Sequence, residues 1–406
     1  MVFQSFAYSF KFTSGFLRLP VIPFSQQTRS LHFTEIRKVD SKMNRKRTAS
    51  LGSELRHPST KRAKEIDADI PYDHLLDALN AQKDKKDVTR VLHWFRGRDL
   101  RIQDNIALHH ASKLAQKSKK PLIGVYIYCP PEESWHGTSP ARTDFILEAL
   151  RLMQKELKQL KIPLFFLQAD KRKDYVPVLE DFIRKNEISH VFANLEYEID
   201  ELRRDIKFVQ DMESEIHISM HHDQTVVEPG TILTGTGTPM KVFTPYHREW
   251  TTLVKKHPEL LKTVPPPAKN DPSVLKDLKS LFESPVPSPD PLKQFATEQE
   301  KNRIRKLWPA GHAAGMKRMD AFLKQIDNYT ATRSNPAKNS TSRMSAYFAS
   351  GMVSVREALR KVQAVNRGST DFSEGGARKG IYGWVREIVF RELVWTLISK
   401  SCELIY

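Results

Sequence analysis

Val91-Leu92-His93-Trp94-Phe95-Arg96-Gly97-Arg98-Asp99-Leu100-Arg101 opens as a short apolar run and ends as a basic turn, with Asp104-Asn105 just beyond it. A run of this length that closes on polar residues reads as a buried strand. Four more apolar runs follow, at 122–128, 164–167, 191–195 and 216–220. Helical patterns separate them. The clearest covers 140–160, where Ile146, Leu150, Met153, Leu157 and Leu160 share one face, Ser139 suits the N-cap and Pro140 the first turn. Strands alternating with helices predict an α/β domain over residues 89–225, with a five-stranded parallel Rossmann-like sheet covered on both faces. Such sheets bind ligands at the carboxyl ends of their strands, yet no Gly-rich dinucleotide fingerprint follows this first strand. Taken alone, residues 94–105 are a basic βα loop capped by acids.

Outward from this domain the character changes twice. Residues 226–305 are loop-rich, with Pro265-Pro266-Pro267 and a proline-dense stretch at 284–291, and read as an interdomain connection. From about Trp308 the pattern is helical: Met319, Phe322, Leu323 and Ile326 form one stripe, and a second helix is expected over 354–365. On the other side, residues 1–34 contain no Asp or Glu but carry Lys11, Arg18 and Arg29, the composition of a mitochondrial transit peptide within a leader spanning 1–42. Residues 43–88 read as a basic disordered segment. Its clusters Arg45-Lys46-Arg47 and Lys61-Arg62-Ala63-Lys64 resemble a nuclear localisation signal, and Met43 could serve as a second start.

The chain has 406 residues and a formal net charge of +17, which favours acidic partners, DNA first among them; basic tails alone would give the same excess. Two cysteines, Cys129 and Cys402, make neither a disulfide framework nor a zinc site. No run of 18 apolar residues is present, so no membrane partner is expected. The chemistry-bearing groups lie late. Consecutive hydroxyls and backbone N–H groups at 340–345 suit an anionic diphosphate, or a plain N-cap cluster. Arg333 and Arg343 add charge suited to phosphates. Glu387 is either a reactive carboxylate or a surface partner of Arg391 at i+4.

Several of these segments, in order, resemble the photolyase/cryptochrome family, specifically a fungal-type class I cyclobutane pyrimidine dimer photolyase. They are Trp94-Phe95-Arg96…Asp99-Leu100-Arg101…Asp104-Asn105, residues 196–205, Pro229-Gly230…Phe243-Thr244-Pro245-Tyr246…Trp250, Tyr329…Arg333…Pro336…Ser340-Thr341-Ser342-Arg343-Met344-Ser345…Gly351…Ser354, and Trp384…Glu387…Arg391-Glu392. The resemblance implies an α/β antenna domain followed by the beginning of an all-α FAD-binding domain, over 306–392. It implies FAD held by Tyr329, Thr341, Ser342, Arg343, Met344, Ser345, Trp384 and Arg391. It also implies a folate-type antenna, methenyltetrahydrofolate, around His136, Asp200 and Glu201, with Asp200 standing where the folate pattern has Asn. DNA containing pyrimidine dimers would meet Arg333 and Glu387. Glu387 would reach the flipped dimer, and Phe390 would pack against it where the family has Trp.

The resemblance implies a lyase, a light-driven DNA repair enzyme expected to act as a monomer, and the acid-free leader and the basic clusters direct it to mitochondrion and nucleus. Two other readings stand beside it: a cryptochrome-type blue-light photoreceptor, and a non-catalytic α/β fragment. Residues 393–406 depart from the family pattern, and Met240 replaces a usual Tyr. The expectation is of a C-terminally shortened chain that does not retain FAD, repairs no dimers, and leaves the apolar stripes of 308–391 facing water.

Overall fold

The computed structural model describes residues 68–83, 85, 87–130 and 138–400. The leader, both basic clusters and His136 lie outside the described residues. Five parallel strands, β1 (Val91–Phe95), β2 (Leu122–Tyr128), β3 (Leu164–Gln168), β4 (His190–Asn194) and β5 (His217–His221), form one sheet in the order β3-β2-β1-β4-β5. Val91 pairs with Leu122 on one side and His190 on the other. The expected fold class is therefore present, with β4 beginning one residue earlier and β5 one residue later than the apolar runs suggest.

Helices α1 (Pro71–Ala81), α2 (Ile106–Ser118), α3 (Pro140–Gln159), α4 (Tyr175–Lys185) and α5 (Ile199–Met212) flank the sheet. Capping sets two of their starts. Asn105 accepts a 3.0 Å bond from Leu108 N at the head of α2, and Ser139 a 3.3 Å bond from Arg142 N at the head of α3. Side chains alternate across the sheet. Leu92, Trp94, Val125, Val191 and Ile218 join Leu179, Leu202 and Phe208 in one core, while Val91, Phe95, Leu164 and Phe192 join Leu108 and Leu150 in the other. Both faces are covered, as a parallel sheet requires.

The expectation of a disordered segment over 43–88 fails at its C-terminal end, where Pro71–Ala81 form α1. Pro71 occupies the first turn, and Tyr72 and Leu75 are buried against the sheet domain. One residue past this helix, the Gln82 side chain both donates to Ile218 O and accepts from Ile218 N, each at 2.9 Å. It closes the outer edge of β5.

The second half holds α6 (Phe243–Lys256), α7 (Glu298–Leu307), α8 (His312–Leu323), α9 (Tyr329–Thr332), α10 (Ser345–Ala349), α11 (Val355–Val365) and α12 (Lys379–Lys400). Ser354 caps α11 by accepting from Glu357 N at 3.2 Å. The 226–305 connection is less irregular than its prolines suggest, since α6 buries Tyr246 and Trp250. The expectation that the stripes of 308–391 face water is also overturned. Met319, Phe322, Leu359, Val362, Trp384 and Val385 are buried in one continuous core with Phe145, Leu147 and Leu150 of the sheet domain. Each such side chain contributes about 2 kcal/mol on leaving water.

Two glycines let α12 lie close to the segment before and through α9. A Cβ on Gly380 would sit 2.0 Å from Ile326 O, and one on Gly383 2.4 Å from Thr330 Oγ1. The helix runs on through Lys400, burying Leu393, Trp395, Thr396 and Ser399. Lys400 pairs with Asp73 and lies 4.5 Å from the Tyr72 ring centroid, so the far end of α12 grips α1.

Candidate functional site

The chain turns back across the sheet between β1 and β4, where an open α/β fold places its ligand crevice. Here that crevice is filled by the chain's own polar groups. Asp99 accepts from Arg96 N at 2.6 Å and from Asn194 Nδ2 at 2.8 Å; Asn194 also donates to Asn105 Oδ1 at 2.8 Å. Arg96 pairs with buried Asp205 and stacks 4.1 Å over the Trp94 ring. Arg101 pairs with Asp223 and donates to Gly351 O at 2.9 Å. From the helical half, Arg356 reaches Asp223 at 2.6 Å and Asp104 at 3.2 Å, and Ser354 donates to Asp104. Burial pushes the Asp223 carboxyl up, but Arg101 and Arg356 more than offset this and hold it below the usual carboxylate range. The loop after β1 thus clamps the two halves together.

The late cluster forms a different surface. Arg333 pairs with Glu387, both about half-exposed, and its guanidinium lies 6.0 Å from the Tyr329 centroid. Tyr329 is buried edge-on to Phe322 at 5.6 Å, and Phe322 also meets Trp384 at 5.9 Å. Tyr329, Arg333, Glu387 and Trp384 are therefore brought together, with Trp384 inside the core beneath the others. Phe390 is 52 % exposed on α12, against Phe243 at 5.5 Å. Sequence reasoning missed the rest of its rim. His247 meets both Phe243 and Tyr382 at 5.5 Å, and Arg386 lies over both of those rings. Their aromatic and basic character was the available signal.

Ser340 Oγ donates to Thr332 O at 3.1 Å, which ties the hydroxyl cluster to the end of α9. Thr341, Arg343 and Ser345 are exposed and Ser342 is partly so, while Met344 is buried beneath them. Arg343 holds a left-handed backbone, φ 52°, where the chain turns into α10. Among the described residues nothing engages the Thr341, Ser342 and Ser345 hydroxyls. Exposed hydroxyls beside a guanidinium fit a diphosphate. Arg391 does not pair with Glu387. It donates to Gln224 O at 2.8 Å and Phe348 O at 3.4 Å and lies over Trp395, and burial lowers it to about 10. In the sheet domain, Glu201 accepts from Arg172 at 2.6 Å and Asp200 is exposed beside it in the first turn of α5. Among the described residues no cluster of His, Cys, Asp and Glu could hold a metal ion, and no helix is long and apolar enough to cross a membrane.

A parallel five-stranded lobe clamped through its switch point to a helical lobe is the architecture of photolyases. A bacterial class III photolyase from Agrobacterium tumefaciens superposes with a TM-score of 0.62 at 22 % identity, over 80 % of this chain and 62 % of that one. The DNA photolyase family model matches residues 91–268. A deoxyribodipyrimidine photo-lyase from Neurospora crassa is 34 % identical over 308 residues, 74 % of this chain and 49 % of that one. The mitochondrial deoxyribodipyrimidine photo-lyase of Saccharomyces cerevisiae is 32 % identical over 189 residues, 42 % and 33 % of the two chains. The chain is similar to the DNA photolyase family over these spans. It spans about half the length of the Neurospora relative it matches.

Proposed function

We propose that this chain serves light-driven repair of cyclobutane pyrimidine dimers in DNA, against the expectation of a chain that repairs none, since the stripes of 308–391 are packed in the core and do not face water. The observation that carries the proposal is the surface where exposed Glu387 and Phe390 stand on one helix, with Arg333 paired to Glu387 and hydroxyls without partners at 341–345 tied to the same region through Ser340. The likeness to deoxyribodipyrimidine photo-lyases over three quarters of the chain supports it.

Reduced FAD, once bound, would supply the electron chemistry for opening the cyclobutane ring. The residues of this chain hold and orient. Thr341, Ser342, Arg343 and Ser345 hold the diphosphate of the cofactor. Tyr329 and buried Met344 and Trp384 support that cluster from beneath, and Arg391 fixes α12 against α10. Arg333 engages DNA phosphate. Glu387 hydrogen-bonds the edge of the flipped pyrimidine, and Phe390 offers a ring face to a damaged, poorly stacked pair that flips out at low cost. His136, Asp200 and Glu201 hold a folate antenna. Since Arg172 already engages Glu201, the antenna shares or displaces that pair. The protein acts as a monomer, in nucleus and mitochondrion. The latter agrees with the mitochondrial location of the yeast relative.

The test is to irradiate a thymine-dimer oligonucleotide with the protein and excess reduced FAD. Dimer loss under blue light, none in the dark, and tighter binding of damaged than undamaged duplex are expected. No dimer loss together with equal affinity for both duplexes would overturn the proposal and favour the photoreceptor reading.

A further inference from the structure

A groove of about 510 Å³, lined by none of the residues proposed for repair, opens between α2 and the β4–β5 edge of the sheet. It is lined by Lys85, Lys113 and Lys117, by His110, His190 and His217, and by Ser219, Phe192 and Leu114. Not one carboxylate is among these lining residues. The pattern follows from topology. Residues 190, 192, 217, 219 and 221 alternate onto one face of neighbouring strands, and α2 lays its lysines along that face. His110 stacks on His221 at 4.4 Å and 2°, and His221 is parallel to Phe192 at 6.1 Å. His217 meets His190 at 5.6 Å, and its buried Nδ1 has no hydrogen-bond partner among the described residues.

So many cationic and imidazole groups with no acid among the lining residues leave positive charge and a buried ring nitrogen uncompensated. We propose that this groove binds a small phosphate-bearing anion of mononucleotide size. The three ammonium groups meet the phosphates, the His217 imidazole hydrogen-bonds them, and Phe192 and Leu114 form an apolar wall for an attached ring. The volume is right for such a ligand and too small for a duplex.

The protonation of the site agrees with this. Burial first, then neighbouring cations, hold His110 and His190 below the ordinary imidazole range and His221 at about 4. The groups facing these rings are His109, Lys113 and Lys117 on α2, His93 on β1, His217 on β5, Lys85 before β1 and Asp223 after β5. An anion placed among them reverses the second cause. Binding therefore takes up protons, and affinity rises as pH falls from 8 to 6.

Calorimetric titration of the full chain with pyrophosphate, with ADP, and with adenosine tests the assignment. Saturable binding of the two phosphates but not of adenosine is expected. It should weaken about tenfold or more in a Lys113→Glu/Lys117→Glu variant, both sites being exposed, and strengthen at pH 6. ADP binding more tightly than pyrophosphate identifies a nucleotide; equal affinity identifies the phosphate group alone, and either supports the site. The absence of saturable binding overturns the proposal, as does an affinity unchanged by charge reversal. Loss of DNA affinity in the variant, with no binding of either small anion, would assign the groove to nucleic acid and equally overturn it.

Discussion

Trp250 Nε1 donates a 2.6 Å hydrogen bond to the Glu392 carboxylate across 142 residues of chain. The same carboxylate accepts from Val226 N at 2.7 Å and Val227 N at 3.3 Å, with no exposed surface at all. One side chain of α12 thereby fixes the chain where it leaves the sheet domain and the helix α6 that follows. Replacing it leaves three buried donors without an acceptor. Glu392→Ala should cost about 3 kcal/mol in urea unfolding, and a loss below half of that would show that water or a shifted backbone satisfies the donors.

Burial raises the Glu392 carboxyl to about 7, against the pull of its three donors. In the unfolded chain the group ionises near the ordinary value for glutamate, about 4.3. Between those values the folded state holds the proton that the unfolded state has lost. This group's contribution to stability is thus fullest below pH 4 and declines as pH rises through about 7. Comparing wild type with Glu392→Gln by thermal melting at pH 5 and pH 8 should show the balance moving toward the variant at the higher pH. A constant difference would mean that the carboxyl does not titrate in this range.

Gly351 sits at φ 64°, where an added Cβ would lie 1.7 Å from Arg98 O. Gly368 has a similar φ of 79° but open space around it. Gly368→Ala should cost only the backbone penalty, about 1 kcal/mol. Gly351→Ala should cost several times as much, because it must also part the two halves of the protein. Equal losses in chemical denaturation would mean that the contact yields easily.

The Arg356 guanidinium is buried against Asp223 and Asp104. Removing it strands carboxylates away from water, so Arg356→Met should destabilise the protein by about 3–5 kcal/mol. Because Asp223 titrates below its ordinary range, the stability this pair provides is present above the unfolded carboxyl value of about 3.9 and is lost as pH falls through the still lower folded value. The variant should therefore lose the share of this acid-side dependence that Arg356 supplies, while Arg101 still holds Asp223. Matching acid limbs in wild type and variant would contradict this.

Glu387 and Phe390 are different in kind. Both are about half-exposed, and an exposed ion pair is worth little. Glu387→Ala and Phe390→Ala should each unfold within about 0.5–1 kcal/mol of wild type while light-driven dimer repair falls at least tenfold. A variant that keeps repair at full rate would remove that residue from the proposed site.

The five strands were legible because Val91, Leu122 and their neighbours form compact runs closed by polar turns. Ser139 declared a helix start through ordinary capping chemistry. Helix α1 was hidden because the basic residues before it dominate the composition, although Tyr72, Leu75 and Leu79 already share a face. The signature after β1 was legible as a motif but not in its physical task. Nothing local says that Asp104 and Arg101 meet Arg356 and Gly351, some 250 residues later. Likewise Arg391 stands four residues from Glu387, yet its guanidinium turns inward to Gln224 O and leaves Arg333, far back in the chain, as the partner.

The Gln82 amide on Ile218 amounts to a one-residue sixth strand. It presents a donor and an acceptor in the places where a neighbouring backbone would offer them, and then ends. A second copy of the chain approaching that side finds the Ile218 rung of β5 already taken, which works against extending the sheet across two molecules. In a protein this basic, a single glutamine keeps crowding from becoming stacking.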